Sequence, residues 1–548
     1  MNRLPLELVG RVSSFLSKDD LKRTLYVSPA FQVAAEHHSG EFSEYSFEGL
    51  NLDCEKFLAT YGGRRLRHLC YIAVNLQYSP LTPWSADAGE LQCRETRADL
   101  DVKNRIFTEQ VRRVFETIKE AEIAAKAARH GPGKVQLTIF TPYRLVYSES
   151  CRHRLSSAWR VRLLNCETLP TLESVRGLSI CNPDRYARNH QDAYKNGYDR
   201  AISRVEARTV IDLAVRLPRL EYLGCSLGTE EWRLHDEDPA RKHFEHDYEG
   251  CAKDSRIEFG KALAQAQLPT MLREVQLDFF HDLSEHILTE ERGGGPDLAG
   301  PATYDVFSSS LCLLAQRLSR LDLRVKADAS LFQSTLDETP FPNLQHMSIM
   351  LHPMTPSGSW YFCGTDGQGA SDVGYQVTND MYPPLDANDP EDANWHDRDV
   401  TTVSDLPETF RQIPNDITMN PFLEAFAKLA LTMRELKAFC LWSPLAGQRA
   451  WGIAYAAPGE ESPFYEYDEW SISQPRLWWK VGAWTPEQDL HNSFQEVGRA
   501  RHGKEPIEYW NSEKGGTALE YRETFEESSA ALPTSGPDYP TWRWSQVR

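Results

Sequence analysis

The short pattern Leu-x-x-apolar-x-apolar recurs along this chain, and it limits the fold more than any other feature. It occurs as Leu66-Leu69-Tyr71 in "LRHLCY", Leu220-Leu223-Cys225 in "LEYLGC" and Leu272-Val275-Leu277 in "LREVQL". It returns as Leu318-Leu321-Leu323 in "LSRLDL", Leu344-Met347-Ile349 in "LQHMSI" and Leu436-Phe439-Leu441 in "LKAFCL". A weaker copy opens at Leu172 in "LESVRGLSI". Alternation at the last two positions predicts a strand with one apolar face. A unit this small cannot bury that face alone, so its recurrence implies neighbours stacked around a shared core.

Several copies share a lead-in: Leu169-Pro170, Leu217-Pro218, Leu268-Pro269 and Phe341-Pro342. A proline there breaks the chain between a helix and the next strand. Helical patterns come before it. "RAISRVEARTVIDLAVRL" sets Ile202, Val205, Leu213 and Leu217 on one face, and "FGKALAQAQL" and "NPFLEAFAKLALTM" precede the copies at Leu272 and Leu436. Helix and strand alternate, so an α/β architecture is expected. The strand pattern resembles a leucine-rich repeat. Ordinary repeats of that kind run about 20–29 residues, so most units here would carry insertions. The resemblance implies an irregular α/β solenoid over residues 41–445.

Two regions depart from the pattern. Residues 353–415 are rich in Gly, Pro, Asp and Asn, as in "GTDGQGASD" and "PPLDANDPEDANWHDRD", and read as a loop insertion. Beyond Leu441, "RAWGIAYAA" and "RLWWKVGAW" read as strands and "PEQDLHNSFQEVGRA" as a helix. Residues 446–525 are thus expected to form a β-rich C-terminal cap covering the end of the array, with 526–548 as a flexible tail.

The segment at residues 4–31, "LPLELVGRVSSFLSKDDLKRTLYVSPAF", predicts three short helices. Pro5 suits a first helical turn, and Leu8, Val12, Phe15 and Leu16 fall on one face. Ser17 followed by Asp20 resembles a capping box, and Ser28-Pro29 pairs an N-cap with a first-turn proline. So small a unit is marginal alone and needs a packed neighbour or a partner. Its order of Leu-Pro, apolar helix, Asp-Leu and Val-Ser resembles the F-box motif, with Phe31 where that motif often carries Trp. The resemblance covers residues 1–40. It implies docking onto a Skp-type adaptor, and through it onto a cullin and a RING protein. Carried over by position, Leu4, Pro5, Leu8, Val9, Leu16, Leu21 and Val27 would face that adaptor or support the surface.

Composition narrows the remaining options. The chain has 548 residues and a net charge of −19, which disfavours nucleic acid as a partner. Eleven cysteines without a CxxC pair argue against a disulfide framework or a structural zinc site. No run is apolar and long enough to span a membrane, and the opening residues carry no signal-like stretch, so cytoplasm or nucleus is expected.

The sequence carries little recognisable catalytic chemistry. Asp386–Asp399 begins like a calcium loop, but Pro390 takes the third ligand position and no Gly follows. His235, His243 and His246 near Cys251 match no zinc spacing. The Gly-rich stretches contain neither a phosphate loop nor a nucleophile elbow. No cofactor, metal or catalytic residue is therefore expected. Among the aromatics, Trp478 and Trp479 fit a strand, whereas Trp360 and Trp395 lie in irregular sequence and are candidate target-binding anchors.

The resemblance implies a non-catalytic substrate-recognition subunit of a Skp–cullin–F-box ubiquitin ligase, with an unknown protein target. Two alternatives are an adaptor-binding scaffold outside any ligase and an enzyme with a non-local active site.

Overall fold

The structure is a computed structural model. It describes residues 4–81, 94–147, 152–154, 158–182, 198–230, 248–280, 293–300, 304–314, 317–333, 341–384, 411–445, 449–460 and 473–510. Three helices open the chain: α1 (Leu6–Ser13), α2 (Lys18–Thr24) and α3 (Pro29–His38). Then come β1 (Glu44–Phe47), α4 (Cys54–Tyr61), β2 (Tyr71–Leu81), α5 (Arg97–Ala127) and β3 (Val135–Tyr147). Next are β4 (Val175–Cys181), β5 (Tyr198–Ile202), α6 (Arg208–Ala214), β6 (Tyr222–Glu230), α7 (Glu249–Gln265) and β7 (Glu274–Phe280). The middle of the chain adds β8 (Pro296–Asp297), α8 (Val306–Leu314), β9 (Arg320–Val325), β10 (His346–Leu351), β11 (Phe362–Cys363), β12 (Tyr375–Gln376) and β13 (Ile413–Pro414). The last elements are α9 (Asp416–Thr432), β14 (Ala438–Leu445), β15 (Arg449–Ala456), β16 (Arg476–Lys480), α10 (Gln488–His502) and β17 (Ile507–Trp510).

Among the described residues, one sheet of 13 strands organises the fold, in the order β1-β2-β3-β4-β6-β7-β9-β10-β14-β15-β16-β17, with β5 beside β3. Sheet order follows chain order, and every pair from β1 to β14 on this path is parallel. The recurrent pattern explains the stacking. Its two alternating apolar positions align as two continuous ladders. One runs Ile72, Leu137, Leu178, Leu223, Val275, Leu321, Met347, Phe439. The other runs Val74, Ile139, Ile180, Cys225, Leu277, Leu323, Ile349, Leu441. All are buried, and they share one core with Phe107, Ile211, Phe259, Phe307, Phe426 and Phe494 of helices α5 to α10.

The lead-in is a repeated tight turn. The amides of four motif leucines bond a carbonyl three residues back: Leu220 to Leu217 (3.0 Å), Leu272 to Pro269 (3.2 Å), Leu344 to Phe341 (3.3 Å) and Leu436 to Met433 (3.3 Å). The residue after each leucine then reaches across to the neighbouring unit. Arg273 N bonds Glu221 O, Ser319 N bonds Arg273 O, Gln345 N bonds Ser319 O and Lys437 N bonds Gln345 O, at 2.7–2.9 Å.

Several local expectations change. Tyr71 is half-buried and off the ladder, where Ile72 and Val74 take its place. At the first copy, therefore, the pattern is out of phase with the strand. The start of "RAISRVEARTVIDLAVRL" is strand β5 antiparallel to β3, and only Arg208–Ala214 is helical. The C-terminal strands and helix form where the sequence places them, and they extend the same sheet: β15 and β16 continue it antiparallel, and Leu441, Ile453 and Trp479 are in register. Within 353–415, residues 353–364 are mostly buried, with Trp360, Tyr361 and Phe362 at 0–2% exposure and β11 paired to β13, whereas 365–382 are half-buried or exposed.

The second face of the sheet is also buried over most of its width. Phe280, Met350, Trp442, Ala454 and Trp478 form a second apolar cluster there. Beside it lie the Arg324–Asp278 ion pair at 2.9 Å and the Arg320–Asp322 pair at 2.7 Å, with both carboxylates buried. No helix among the described residues is long and apolar enough to cross a membrane.

Candidate docking surface

The N-terminal helices form as their capping residues dictate. Pro5 stands just before α1, where its carbonyl accepts from the Leu8 and Val9 amides at 3.1 Å. The Ser17 hydroxyl accepts from the Asp20 amide at 3.3 Å and donates to the Asp20 carboxylate at 2.7 Å. The Ser28 hydroxyl accepts from the Phe31 amide at 3.3 Å, and Pro29 begins α3. Each cap satisfies a donor the helix leaves open.

The unit has a minimal core of its own: Val9, Phe31 and Ala34, with Ala30 against them. Leu21, 3% exposed, is buried as well. The opposite stripe of α1 faces outward. Leu4, Leu8, Val12 and Phe15 recur at helical spacing with 46%, 50%, 48% and 79% exposure. Tyr26 and Val27, in the turn before α3, are 92% and 48% exposed. Fifteen large apolar side chains are exposed among the described residues, and six of them fall within residues 4–27. Scattered exposed apolar residues need no explanation, but such a concentration marks an interaction surface.

A polar junction fixes this unit to the sheet. Glu36 of α3 is buried, and its Oε1 accepts from Arg64 Nη2 at 3.0 Å and from Arg65 Nη2 and Nε at 2.9 and 3.1 Å. The Arg65 guanidinium also lies 4.2 Å over the Phe42 ring. Beside it, the His37 and His68 rings are 5.5 Å apart, and Arg67 Nε donates to His68 Nε2 at 3.3 Å. Burial, with the charge of Arg67, pushes the His68 pKa down to about 4.

Of the positions singled out in the sequence, Leu4, Pro5, Leu8 and Val27 are exposed, Leu16 is half-buried, and Val9 and Leu21 lie inside the helical unit. The structure adds Val12, Phe15 and Tyr26 to the outward set. Val12 shares the helical face of Leu8, and Phe15 follows in the turn after α1. Tyr26 is flagged only by two apolar neighbours in a turn.

Trp360 is not a surface anchor. It is 2% exposed, its Nε1 donates to the Gly293 carbonyl at 2.7 Å, and the Arg411 guanidinium sits 4.3 Å over its ring. Arg411 is held in turn by the Phe362 and Gly369 carbonyls and by Asp372. Trp395 lies outside the described residues, as do His235, His243 and His246. Among the described residues no three His, Cys, Asp or Glu side chains are grouped to hold a metal. No protein-family model matches the chain, and no curated protein is significantly similar to it in sequence.

Proposed function

We propose that this chain is the substrate-recognition subunit of a Skp–cullin–F-box ubiquitin ligase. The exposed apolar stripe Leu4, Leu8, Val12, Phe15, joined by Tyr26 and Val27, carries the reading. Its residues lie in the segment that resembles the F-box, on a unit too small to leave them exposed without a partner. In this reading the helices hold the Skp-type adaptor. The parallel sheet and its helices are an irregular leucine-rich-repeat solenoid that holds an unknown protein target. The contribution is proximity: a target lysine is kept near the charged ubiquitin carrier, which raises its effective concentration. No side chain of this chain takes part in the chemistry.

Co-purification tests this reading. Tagged wild-type protein is expected to recover both a Skp-type adaptor and a cullin, and Leu4→Ala with Pro5→Ala to recover much less of both. Recovery of adaptor without cullin would assign the chain to a scaffold outside the ligase. Equal recovery by the double variant, or none by wild type, would refute adaptor docking at this surface.

A further inference from the structure

The residues flanking three successive motif leucines line one cavity. Thr270 and Arg273 flank Leu272, Arg317 and Ser319 flank Leu318, and Asn343 and Gln345 flank Leu344. The cavity is open to solvent and has a volume of about 690 Å³, within the range of small-molecule sites. Its lining is unusual for such a site, since all six side chains are polar, two are arginines and none is acidic. In a chain with a net charge of −19, the two guanidiniums give this cavity a basic lining.

Neighbouring positions on the same edge show what these arginines lack. One unit earlier, Arg219 pairs with Glu173 at 2.9 Å and Arg176 approaches Glu221 at 3.7 Å. Within the adjoining strand, Arg320 pairs with Asp322 at 2.7 Å. Neither Arg273 nor Arg317 forms an ion pair among the described residues. Arg273 is nonetheless held in place: its Nη1 donates to the Thr270 and Leu272 carbonyls, both at 2.9 Å. Its own carbonyl accepts from the Ser319 amide at 2.8 Å and the Ser319 hydroxyl at 3.2 Å. Those bonds leave Nε and Nη2 available at the cavity.

We propose that this cavity binds a small molecule carrying adjacent phosphoryl groups. The two guanidiniums would take the charge, and the Thr270, Asn343 and Gln345 side chains would donate to the remaining oxygens. Guanidinium donors match phosphate oxygens in pairs, and the set of donors here exceeds what one carboxylate can accept. This inference is independent of adaptor docking, because the cavity lies on the strand-entry edge of β7, β9 and β10 and shares no residue with the N-terminal helices.

The test is calorimetric titration of the full chain with inorganic pyrophosphate, with citrate as a carboxylate of comparable charge. Saturable binding of one pyrophosphate is expected, weakened by salt and much tighter than citrate. Arg273→Gln combined with Arg317→Gln is expected to weaken it about tenfold or more. Arg219→Gln, which removes an arginine already paired with an acid, is expected to bind as wild type does. The exposed Arg273 and Arg317 allow both variants to be checked for an unchanged melting profile. No binding at millimolar pyrophosphate, equal binding by the double variant, or equal binding of citrate would overturn the assignment.

Discussion

At the residue scale, the junction beneath the N-terminal helices carries a pH dependence whose sign follows from its geometry. His68 Nε2 accepts from Arg67 Nε, which only a neutral imidazole can do, and His37 and Arg64 add positive charge nearby while Glu36 opposes them. Its pKa falls from 6.5 when unfolded to about 4 when folded. Above pH 6.5 both states are neutral here and the contribution to stability is full. As pH falls from 6.5 toward 4, the unfolded state takes up the proton first and stability is lost. Urea unfolding at pH 7, 6 and 5 is expected to show a decline that His68→Gln makes shallower. An identical decline in the variant would contradict this account. The stretch "RRLRH" shows Arg67 beside His68, but not the burial that does most to lower the His68 pKa. Trp360 is a similar case. Its Gly- and Pro-rich neighbourhood reads as a loop, while its burial comes from Arg411 and Gly293, both distant in sequence.

At the element scale, strands were more legible than helices. Residues with period-two alternation and a leading leucine became strands with the motif positions inside, from Leu220-Leu223-Cys225 to Leu436-Phe439-Leu441. Strand β3 has the alternation without the leucine, so a search keyed on leucine passes over it. The long helix α5 likewise lies outside the leucine pattern. Its buried Phe107, Val111, Val114, Ile118, Ala121 and Ala125 have clear helical spacing, and a capping box at Thr96 and Asp99 starts it. The N-terminal helices were legible down to their caps, because capping is local chemistry. Their attachment was not, since it joins Glu36 to Arg64 and Arg65. Glu36→Ala is expected to destabilise α3 by about 1–3 kcal/mol, the range for a lost hydrogen-bonded charge whose arginine partners stay partly solvated. Hydrogen exchange is expected to show faster exchange in α3 with the sheet strands unchanged; unchanged protection of α3 would contradict the junction's role.

At the scale of the whole molecule, a parallel sheet built in chain order presents three different surfaces. One face is the shared core with helices α5 to α10. The other is also largely buried, with ion pairs such as Arg324–Asp278 that rigidify it, so it offers less open surface than a bare array of strands would. The strand-entry edge holds the arginine-lined cavity. At the N-terminal end, a three-helix unit exposes its apolar stripe while polar contacts fix its base. The proposed receptor role would use that combination, an apolar surface to engage the adaptor and a rigid connection to the rest of the chain. The central claim is that the stripe binds a Skp-type adaptor. Its most direct test is titration of the purified full chain with purified adaptor, comparing wild type with Leu8→Asp plus Phe15→Asp. Both side chains are exposed, so the variant is expected to keep its melting temperature. The account predicts saturable binding by wild type and a loss of about a hundredfold in the variant, as for two apolar anchors removed from an interface. No binding by wild type, or equal affinity in a folded variant, would contradict it.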